Sequence, residues 1–330
     1  MIRVGLLGLG GIGKRHYEVA YSDSSSGISL DACFDIVEEN MRDVSCARKY
    51  TSLDEFFVAE QGKLDFIDIC LPTFLHKDTA IQAMRRGFNV LCEKPMALSS
   101  ADGEEMLAVS RETGKKLMIA QPLRFNDDFR LMREYVKSEK LGKLRNVRYT
   151  FCGTGLPVGQ NGWFKNEALS GGPILDIHVH GMDFLIWTLG MPRSLFCTGR
   201  SSEEWEISST SGTLIYDGGL FVNTVNDWFY PKVKHELSRN IRLNFDRGYI
   251  IYDLDKFVAV DIDGNETNLK NENPPNSFKT EIEYFASCIA SGEPCDVCPV
   301  EESIRVLKVI EAEIASVRRG GAIHTFGNNE

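Results

Sequence analysis

The chain begins with MIRVGLLGLGGIG (residues 1–13), in which an apolar strand runs directly into a glycine-rich loop. Gly8, Gly10 and Gly13 have the G-x-G-x-x-G spacing. This spacing lets a chain turn sharply, approach a pyrophosphate and pack the following helix against the strand. The helix N-terminus offers free amide groups and a positive dipole end, which bind anions without a basic side chain. The segment therefore predicts a dinucleotide site.

An acidic residue after the second apolar run indicates which dinucleotide fits. The run ISLDACFD ends at Asp35, about 20 positions past the glycines, where a carboxylate can accept both ribose hydroxyls of NAD. The same carboxylate would repel the 2′-phosphate of NADP. We therefore expect NAD rather than NADP, with Gly11 and Ile12 completing the loop that holds it.

Length, charge and cysteine usage narrow the class of protein. At 330 residues the chain exceeds one hydrophobic core, which favours two domains. A formal net charge of −10 disfavours nucleic acid and anionic membrane partners, because phosphate binding needs a basic face. The chain starts directly with a strand, and no apolar run approaches the ~18 residues that span a bilayer, so a cytoplasmic protein is expected. The Cys295/Cys298 pair is interpreted as structural rather than as a zinc or redox site.

Residues 1–122 alternate between apolar runs and helical segments, the pattern of parallel strands joined by crossover helices. This half predicts a doubly wound sheet, whose ligands bind beyond the carboxyl ends of the strands. Gly8, Asp35 and the segments 70–73 and 93–95 should therefore meet along one edge.

Residues 123–330 predict a second domain with a different pattern of strands and helices. Short strands with turn signals between residues 193 and 269 indicate an antiparallel sheet. Helical patterns over residues 278–291 and 300–319 close the chain.

Lys94 is the first candidate for chemistry. It lies in Glu93-Lys94-Pro95, which follows a strand at the edge where a nicotinamide ring would lie. A lysine there can donate to a substrate oxygen and hold positive charge beside it. The alternative is an ordinary solvated lysine after a strand.

The second candidate is GGPILDIHVHGMDFLIWTLG (residues 171–190), which predicts one helix with proline in its first turn and glycine at its C-terminal cap. Asp176, His180 and Asp183 would share one face of it, while His178 would point elsewhere. His180 could then act as general base on a hydroxyl proton, with Asp176 orienting the substrate and stabilising the imidazolium.

Two other interpretations of this segment remain open. On a strand, Asp176, His178 and His180 would share a face and could ligate a metal. The glycine-glycine-proline entry and the long apolar continuation favour the helix without a metal. Both histidines could also be buried, hydrogen-bonded structural residues.

Taken together, these elements resemble the glucose–fructose oxidoreductase, inositol dehydrogenase and rhizopine-catabolism (GFO/IDH/MocA) family. The resemblance covers most of the chain, and its ordered motifs after the glycine loop are LPTFLH (71–76), CEKPMAL (92–98), QPLRFN (121–126) and GGPILDIHVHGMD (171–183). It implies a Rossmann dinucleotide-binding domain at 1–122 and an α/β domain with a large open, mostly antiparallel sheet at 123–330. The outer face of that sheet commonly buries against a partner subunit, which implies a homodimer or homotetramer.

The resemblance also implies site residues. The implied catalytic group is Lys94, Asp176 and His180, which also bind substrate. The implied cofactor neighbours are Pro72, Thr73, His76 and Glu93. The implied further substrate contacts are Gln121, Arg124 and Trp163. Two smaller expectations are a cis peptide before Pro95 and a place near the pocket rim for His178, which stands where many members have glycine.

The implied activity is hydride transfer between a nicotinamide cofactor and a secondary alcohol or ketone of a sugar, cyclitol or sugar derivative. Two alternatives use the same fold. One is a non-catalytic sensor of dinucleotide and sugar, which loss of the lysine or histidine would favour. The other is an NAD-assisted glycoside hydrolase, which would turn over without net NADH.

Overall fold

The computed structural model describes residues 1–23, 27–153, 160–203, 205–228, 237–253 and 255–327. The chain divides into two compact units. The first contains residues 1–125 and 275–304, and the second contains residues 126–274 and the chain from 305 onward. The continuous domains expected at 1–122 and 123–330 did not include the return of residues 275–304 to the first unit.

A parallel sheet forms the centre of the first unit. Its strands are β1 (Ile2–Leu7), β2 (Ile28–Phe34), β3 (Arg48–Tyr50), β4 (Phe66–Ile69), β5 (Asn89–Cys92) and β6 (Leu117–Ile119). Among the described residues they pair in the order β3-β2-β1-β4-β5-β6, with every pair parallel. This order confirms the predicted doubly wound dinucleotide-binding fold. The strands are apolar runs because helices cover both faces of such sheets.

Local signals set the helix ends in this unit. The helices before residue 126 are α1 (Gly11–His16), α2 (Leu53–Glu60), α3 (His76–Arg85) and α4 (Ser100–Thr113). The Ser99 hydroxyl caps α4 by accepting the Asp102 N–H at 3.1 Å, and Gly114 ends the helix with φ 66°. The short α1 continues as a π-helical turn over Tyr17–Tyr21.

A larger sheet forms the second unit. Its strands are β7 (Leu144–Gly153), β8 (Ser194–Arg200), β9 (Ser209–Ile215), β10 (Phe221–Asp227), β11 (Leu237–Phe245), β12 (Gly248–Tyr252), β13 (Phe257–Asp261), β14 (Glu266–Asn268) and β15 (His324–Thr325). In the described chain their order is β14-β13-β12-β11-β7-β10-β9-β8-β15, and the β7–β10 pair alone is parallel. The predicted large, mostly antiparallel sheet is confirmed.

The helix predicted over residues 171–190 is interrupted. The helices that precede β8 in this unit are α5 (Asp127–Ser138), α6 (Glu167–Ser170), α7 (Gly172–Asp176) and α8 (His178–Leu189). The break falls at Ile177, between α7 and α8, where the His180 N–H bonds the Ile177 carbonyl oxygen, three residues back, at 3.3 Å. The prediction of one continuous helix is therefore wrong at this residue.

The closing helices are α9 (Ser277–Ser291) and α10 (Val300–Arg318), as the sequence predicts to within one residue. The Asn276 side chain caps α9 by accepting the N–H groups of Phe278 and Lys279. Among the described residues, none of the helices combines the length and apolar character needed to cross a bilayer.

Candidate active site

The glycine loop is tightly packed on its inner side and open on its outer side. A Cβ on Gly13 would lie 1.9 Å from the Gly8 carbonyl oxygen, and one on Gly8 would lie 2.6 Å from the Cys70 carbonyl oxygen. Gly8 also has φ 90°, a conformation that favours glycine. A Cβ on Gly10 or Gly11 would meet no described atom within 4 Å. The loop thus fits a dinucleotide, whose pyrophosphate must reach backbone N–H groups without side chains in the way.

Asp35 follows β2 at the same sheet edge as the glycine loop. Its Oδ2 accepts the Leu9 N–H at 2.8 Å, and its Oδ1 accepts the Val37 N–H at 2.8 Å and the Asn40 Nδ2 at 3.1 Å. The carboxylate therefore ties the glycine loop to the turn after β2. These bonds use three of its roughly four acceptor positions, so one remains for a ligand hydroxyl.

The loop after β4 carries the next predicted cofactor residues. Pro72 precedes a 3₁₀ turn that starts at Thr73, and the Thr73 side chain is buried. The His76 ring places Nε2 2.7 Å from the Leu71 carbonyl oxygen and Nδ1 2.8 Å from the Pro95 carbonyl oxygen. Burial lowers the pKa of His76, whereas the two carbonyl oxygens act in the opposite direction. The ring ties the loops after β4 and β5 together.

Glu93 and Lys94 follow β5 and have different surroundings. Glu93 is buried, with Oε1 3.1 Å from His16 Nε2 and Oε2 accepting the Lys94 N–H at 3.0 Å. Both carboxylate oxygens thus have partners within the first unit, a different environment from the direct cofactor contact predicted for this residue. Lys94 is half-buried, and the Lys94–Pro95 peptide bond is cis, as predicted.

The second unit contains the other predicted catalytic residues. Asp176 ends α7, and His180 lies in the first turn of α8; both are half-buried. His178 is 0% exposed, and its Nε2 lies 3.0 Å from Oε2 of Glu313 on α10. The placement of His178 near a pocket rim is therefore wrong, because a residue far along the chain holds it in the interior. The strand required by the metal interpretation is also absent, since Asp176, His178 and His180 lie on helices.

The three further substrate candidates differ in exposure. Gln121 and Arg124 are buried in the first unit. The Arg124 guanidinium donates to a backbone carbonyl at 2.9 Å and to Glu302 Oε2 at 2.5 Å, so it is anchored within that unit. Trp163, in the second unit, is partly exposed and packs edge-on against Phe164 with ring centroids 5.2 Å apart. Of the three, Trp163 has the most accessible side chain.

A buried polar group in the first unit was not predicted. His16, Asp68, Glu93 and Glu281 form what we call the His16 cluster. One signal was present in the sequence: Asp68 interrupts the apolar run LDFIDIC, and a charged residue in a strand buried on both faces needs a polar partner. Periodicity does not reveal that His16 and Glu281 complete the group.

Two family profiles match the chain. The profile described as oxidoreductase family, NAD-binding Rossmann fold, matches residues 2–121, and the GFO/IDH/MocA C-terminal domain profile matches residues 129–251. The first match covers the parallel sheet with its glycine loop. The second covers much of the large mixed sheet.

Individual proteins resemble the chain over most of its length. A D-xylose 1-dehydrogenase (NADP(+)) 2 of Haloferax volcanii is 26% identical over 97% of this chain and 98% of its own. A scyllo-inositol 2-dehydrogenase (NADP(+)) of Bacillus subtilis is 26% identical over 81% of each chain. A solved structure of a putative NADPH-dependent oxidoreductase from Desulfitobacterium hafniense shares the fold, with a TM-score of 0.86 at 20% identity over 98% of this chain and 97% of that one. The two domain matches together span most of the chain, which belongs to the GFO/IDH/MocA family of oxidoreductases.

Proposed function

We propose that the protein is an NAD-dependent dehydrogenase, or ketoreductase in reverse, acting on a secondary alcohol or ketone of a sugar, cyclitol or sugar derivative. One observation carries the proposal. The glycine loop and Lys94 follow β1 and β5 of one parallel sheet, so both lie at the edge where such sheets bind their ligands. The names of the two curated relatives, a xylose and an inositol dehydrogenase, support a sugar or cyclitol substrate.

The cofactor would be held by backbone groups and small side chains at that edge. The residues assigned to it are Gly8, Gly10, Gly11, Ile12, Gly13, Asp35, Pro72, Thr73 and His76, with Glu93 acting through the Lys94 backbone. When bound, nicotinamide supplies the hydride acceptor or donor. The carboxylate of Asp35 favours NAD, because the 2′-phosphate of NADP would meet a negative charge. The two relatives named above carry NADP(+) in their names, so this preference would set the chain apart from them.

The chain's own residues would handle the substrate and its proton. Lys94 would donate to the substrate oxygen and hold positive charge beside it. His180 would take the hydroxyl proton during oxidation and return it during reduction, with Asp176 orienting the substrate and the imidazole. Gln121, Arg124 and Trp163 would complete the substrate contacts.

We further propose a cytoplasmic homodimer or homotetramer. Phe196 on β8 and Phe221 on β10 are exposed, and the strand register through Thr213 and Ile215 of β9 places them on one face of the sheet. A second copy could bury these two phenylalanines. Light scattering at micromolar concentration should give at least twice 37.1 kDa, and a mass near that of one chain would contradict the assembly.

A panel of polyols, sugars and cyclitols incubated with NAD, with NADH absorbance as the readout, tests the activity. We expect NADH formation with at least one secondary alcohol of the panel. Binding of NAD and of sugars without turnover would instead support the sensor. Cleavage of glycosides without net NADH would support the redox-assisted hydrolase.

A further inference from the structure

The His16 cluster combines full burial with an excess of acidic groups. His16 ends α1, Asp68 lies in β4, Glu93 follows β5 and Glu281 lies in α9, so four elements of the first unit meet there. Each residue is buried, and Glu281 is 0% exposed. In the described part of the chain, three carboxyl groups therefore accompany one imidazole away from water.

The imidazole of His16 faces an acceptor on each side. Its Nδ1 lies 2.9 Å from Asp68 Oδ2 and its Nε2 lies 3.1 Å from Glu93 Oε1. A carboxylate oxygen on each side of the ring fits an imidazolium, in which both ring nitrogens donate. Burial alone would lower the pKa of His16, whereas Asp68, through its charge and its hydrogen bond, raises it, and the net direction is upward. The Tyr21 hydroxyl also donates to Asp68, at 2.6 Å.

Glu281 is in a different situation from the other two carboxyl groups. Neither of its carboxylate oxygens has a hydrogen-bond partner among the described residues. The imidazolium is already shared by Asp68 and Glu93, so an ionised Glu281 would be a buried charge without compensation, which is strongly unfavourable. Burial and the charge of Glu93 raise the pKa of Glu281 well above its ordinary value, while His16 and the backbone N–H of Gln121 oppose that shift without completing a hydrogen bond.

We propose that the folded protein keeps a proton on Glu281 and a second on the His16 ring, and that this proton-bearing cluster is the positioning unit of Lys94. The structural link is Glu93. Its Oε1 contacts the imidazolium, and its Oε2 accepts the Lys94 N–H at 3.0 Å. His16 and Glu281 are therefore positioning residues, and their role in turnover rests on the proposed function of Lys94.

Other polar groups around the cluster are compatible with this assignment. Burial raises the pKa values of Cys70, Cys92 and Tyr21, so these groups are neutral and add no negative charge. The ring of Phe278 on α9 covers His16, with ring centroids 5.9 Å apart. A bound divalent metal ion is the rival source of positive charge, and elemental analysis of the purified protein detects it.

The protonation of Glu281 is tested without any substrate, by urea unfolding of wild type and Glu281→Gln between pH 5 and pH 9. A neutral carboxyl group and an amide have the same charge and nearly the same shape, so the two proteins should have similar stability at pH 5. Above 4.5, the ordinary pKa of glutamate, wild type must retain a proton that the unfolded chain loses. Its unfolding equilibrium constant should therefore rise relative to the variant, by up to about tenfold per pH unit, until the folded pKa is reached.

The matched control is Glu283→Gln on the same helix, since the partly exposed Glu283 pairs with Lys279 across one turn. Its difference from wild type should show no such rise with pH. A Glu281→Gln protein that is much less stable than wild type already at pH 5 would overturn the proposal. One equivalent of bound metal in the purified wild type would overturn it as well.

The positioning role is tested in turnover with His16→Gln, which removes the positive charge and one of the two donors. We expect kcat to fall at least tenfold, with KM for substrate and the affinity for NADH within twofold. If His16→Gln does not fold, the isosteric Glu93→Gln variant, which weakens the same link, replaces it, and kcat should again fall at least tenfold with KM for substrate within twofold. Unchanged kcat in a folded variant would refute positioning, whereas a wild type without any turnover would refute the proposed function and leave the unfolding result standing.

Discussion

The glycine loop of the first unit depends on the absence of side chains, whereas the segment 171–190 of the second unit depends on the side chains that it carries. In the loop, the inner positions leave no room for a Cβ, and the outer positions leave the backbone open. The segment 171–190 acts through side chains that sit close in sequence but differ in burial. His178 is enclosed with Glu313, while His180, two residues on, is half-buried.

This difference determines what a substitution does in each region. In the loop, the cost of adding a methyl group depends on the distance from the new Cβ to the nearest backbone atom. In the segment, the cost of removing a side chain depends on what its partner loses. Substitutions of His178 and His180 should therefore have different effects, and so should substitutions of Gly10 and Gly13.

The largest expected effect is that of His180→Ala. Removal of a general base typically costs ~100- to 10,000-fold in rate, so kcat should fall by that factor while the affinity for NAD is retained. Steady-state kinetics with the substrate found in the panel, together with NAD titration, measure both. EDTA should leave wild-type turnover unchanged. Turnover within a few-fold of wild type would remove His180 from the catalytic group.

His178→Ala should instead lower the stability of the folded protein. It leaves Glu313 Oε2 without its hydrogen-bond partner, and an unsatisfied buried polar group typically costs ~1–3 kcal/mol, to which the cavity adds. Urea denaturation measures this loss, and His324→Ala, at a partly exposed histidine of the same unit, should change stability by only ~0.5 kcal/mol or less. The double variant His178→Leu, Glu313→Leu should cost less than the single one, because no buried polar group is left without a partner. A stable His178→Ala protein with strongly reduced kcat would instead place His178 in the reaction.

The same contrast explains which features the sequence could predict. The glycine loop and the alternation of apolar runs with helical segments are patterns within short stretches of sequence, and the structure has the loop and the doubly wound sheet that they predict. The partner of His178 lies 135 residues away, and periodicity on one helix does not specify which face meets which distant carboxylate. The pairing of His16 with Asp68 and Glu93 spans 52 and 77 residues and was missed for the same reason.

Gly10→Ala and Gly13→Ala sharpen the comparison within the loop. In Gly13→Ala the added methyl group would overlap the Gly8 carbonyl oxygen, so strand and helix must separate, at ~1–3 kcal/mol of stability and with loss of NAD binding. Gly10 has an ordinary φ of −68° and open space around it, so its variant should keep wild-type stability. It should still bind NAD at least about tenfold more weakly, a loss of ~1.4 kcal/mol, because the methyl group occupies the outer face of the loop. Thermal unfolding and NAD titration separate the two outcomes; a Gly10→Ala protein with wild-type NAD affinity would show that the pyrophosphate does not use this face.

The smallest expected effect concerns the choice between NAD and NADP. Wild type should bind NAD more tightly than NADP, and Asp35→Asn should narrow the ratio of the two dissociation constants by about tenfold, equivalent to ~1.4 kcal/mol, because the charge facing the 2′-phosphate is gone. Asp35 also accepts the N–H groups of Leu9 and Val37, so the variant will loosen the loop for both cofactors alike. That shared loss cancels in the ratio of the two dissociation constants. The ratio is therefore the quantity to measure, by titration of each cofactor into the apo protein. Equal or tighter binding of NADP by wild type would mean that the bonds to Leu9, Val37 and Asn40 are the whole role of Asp35, and that the carboxylate holds the loop without selecting the cofactor.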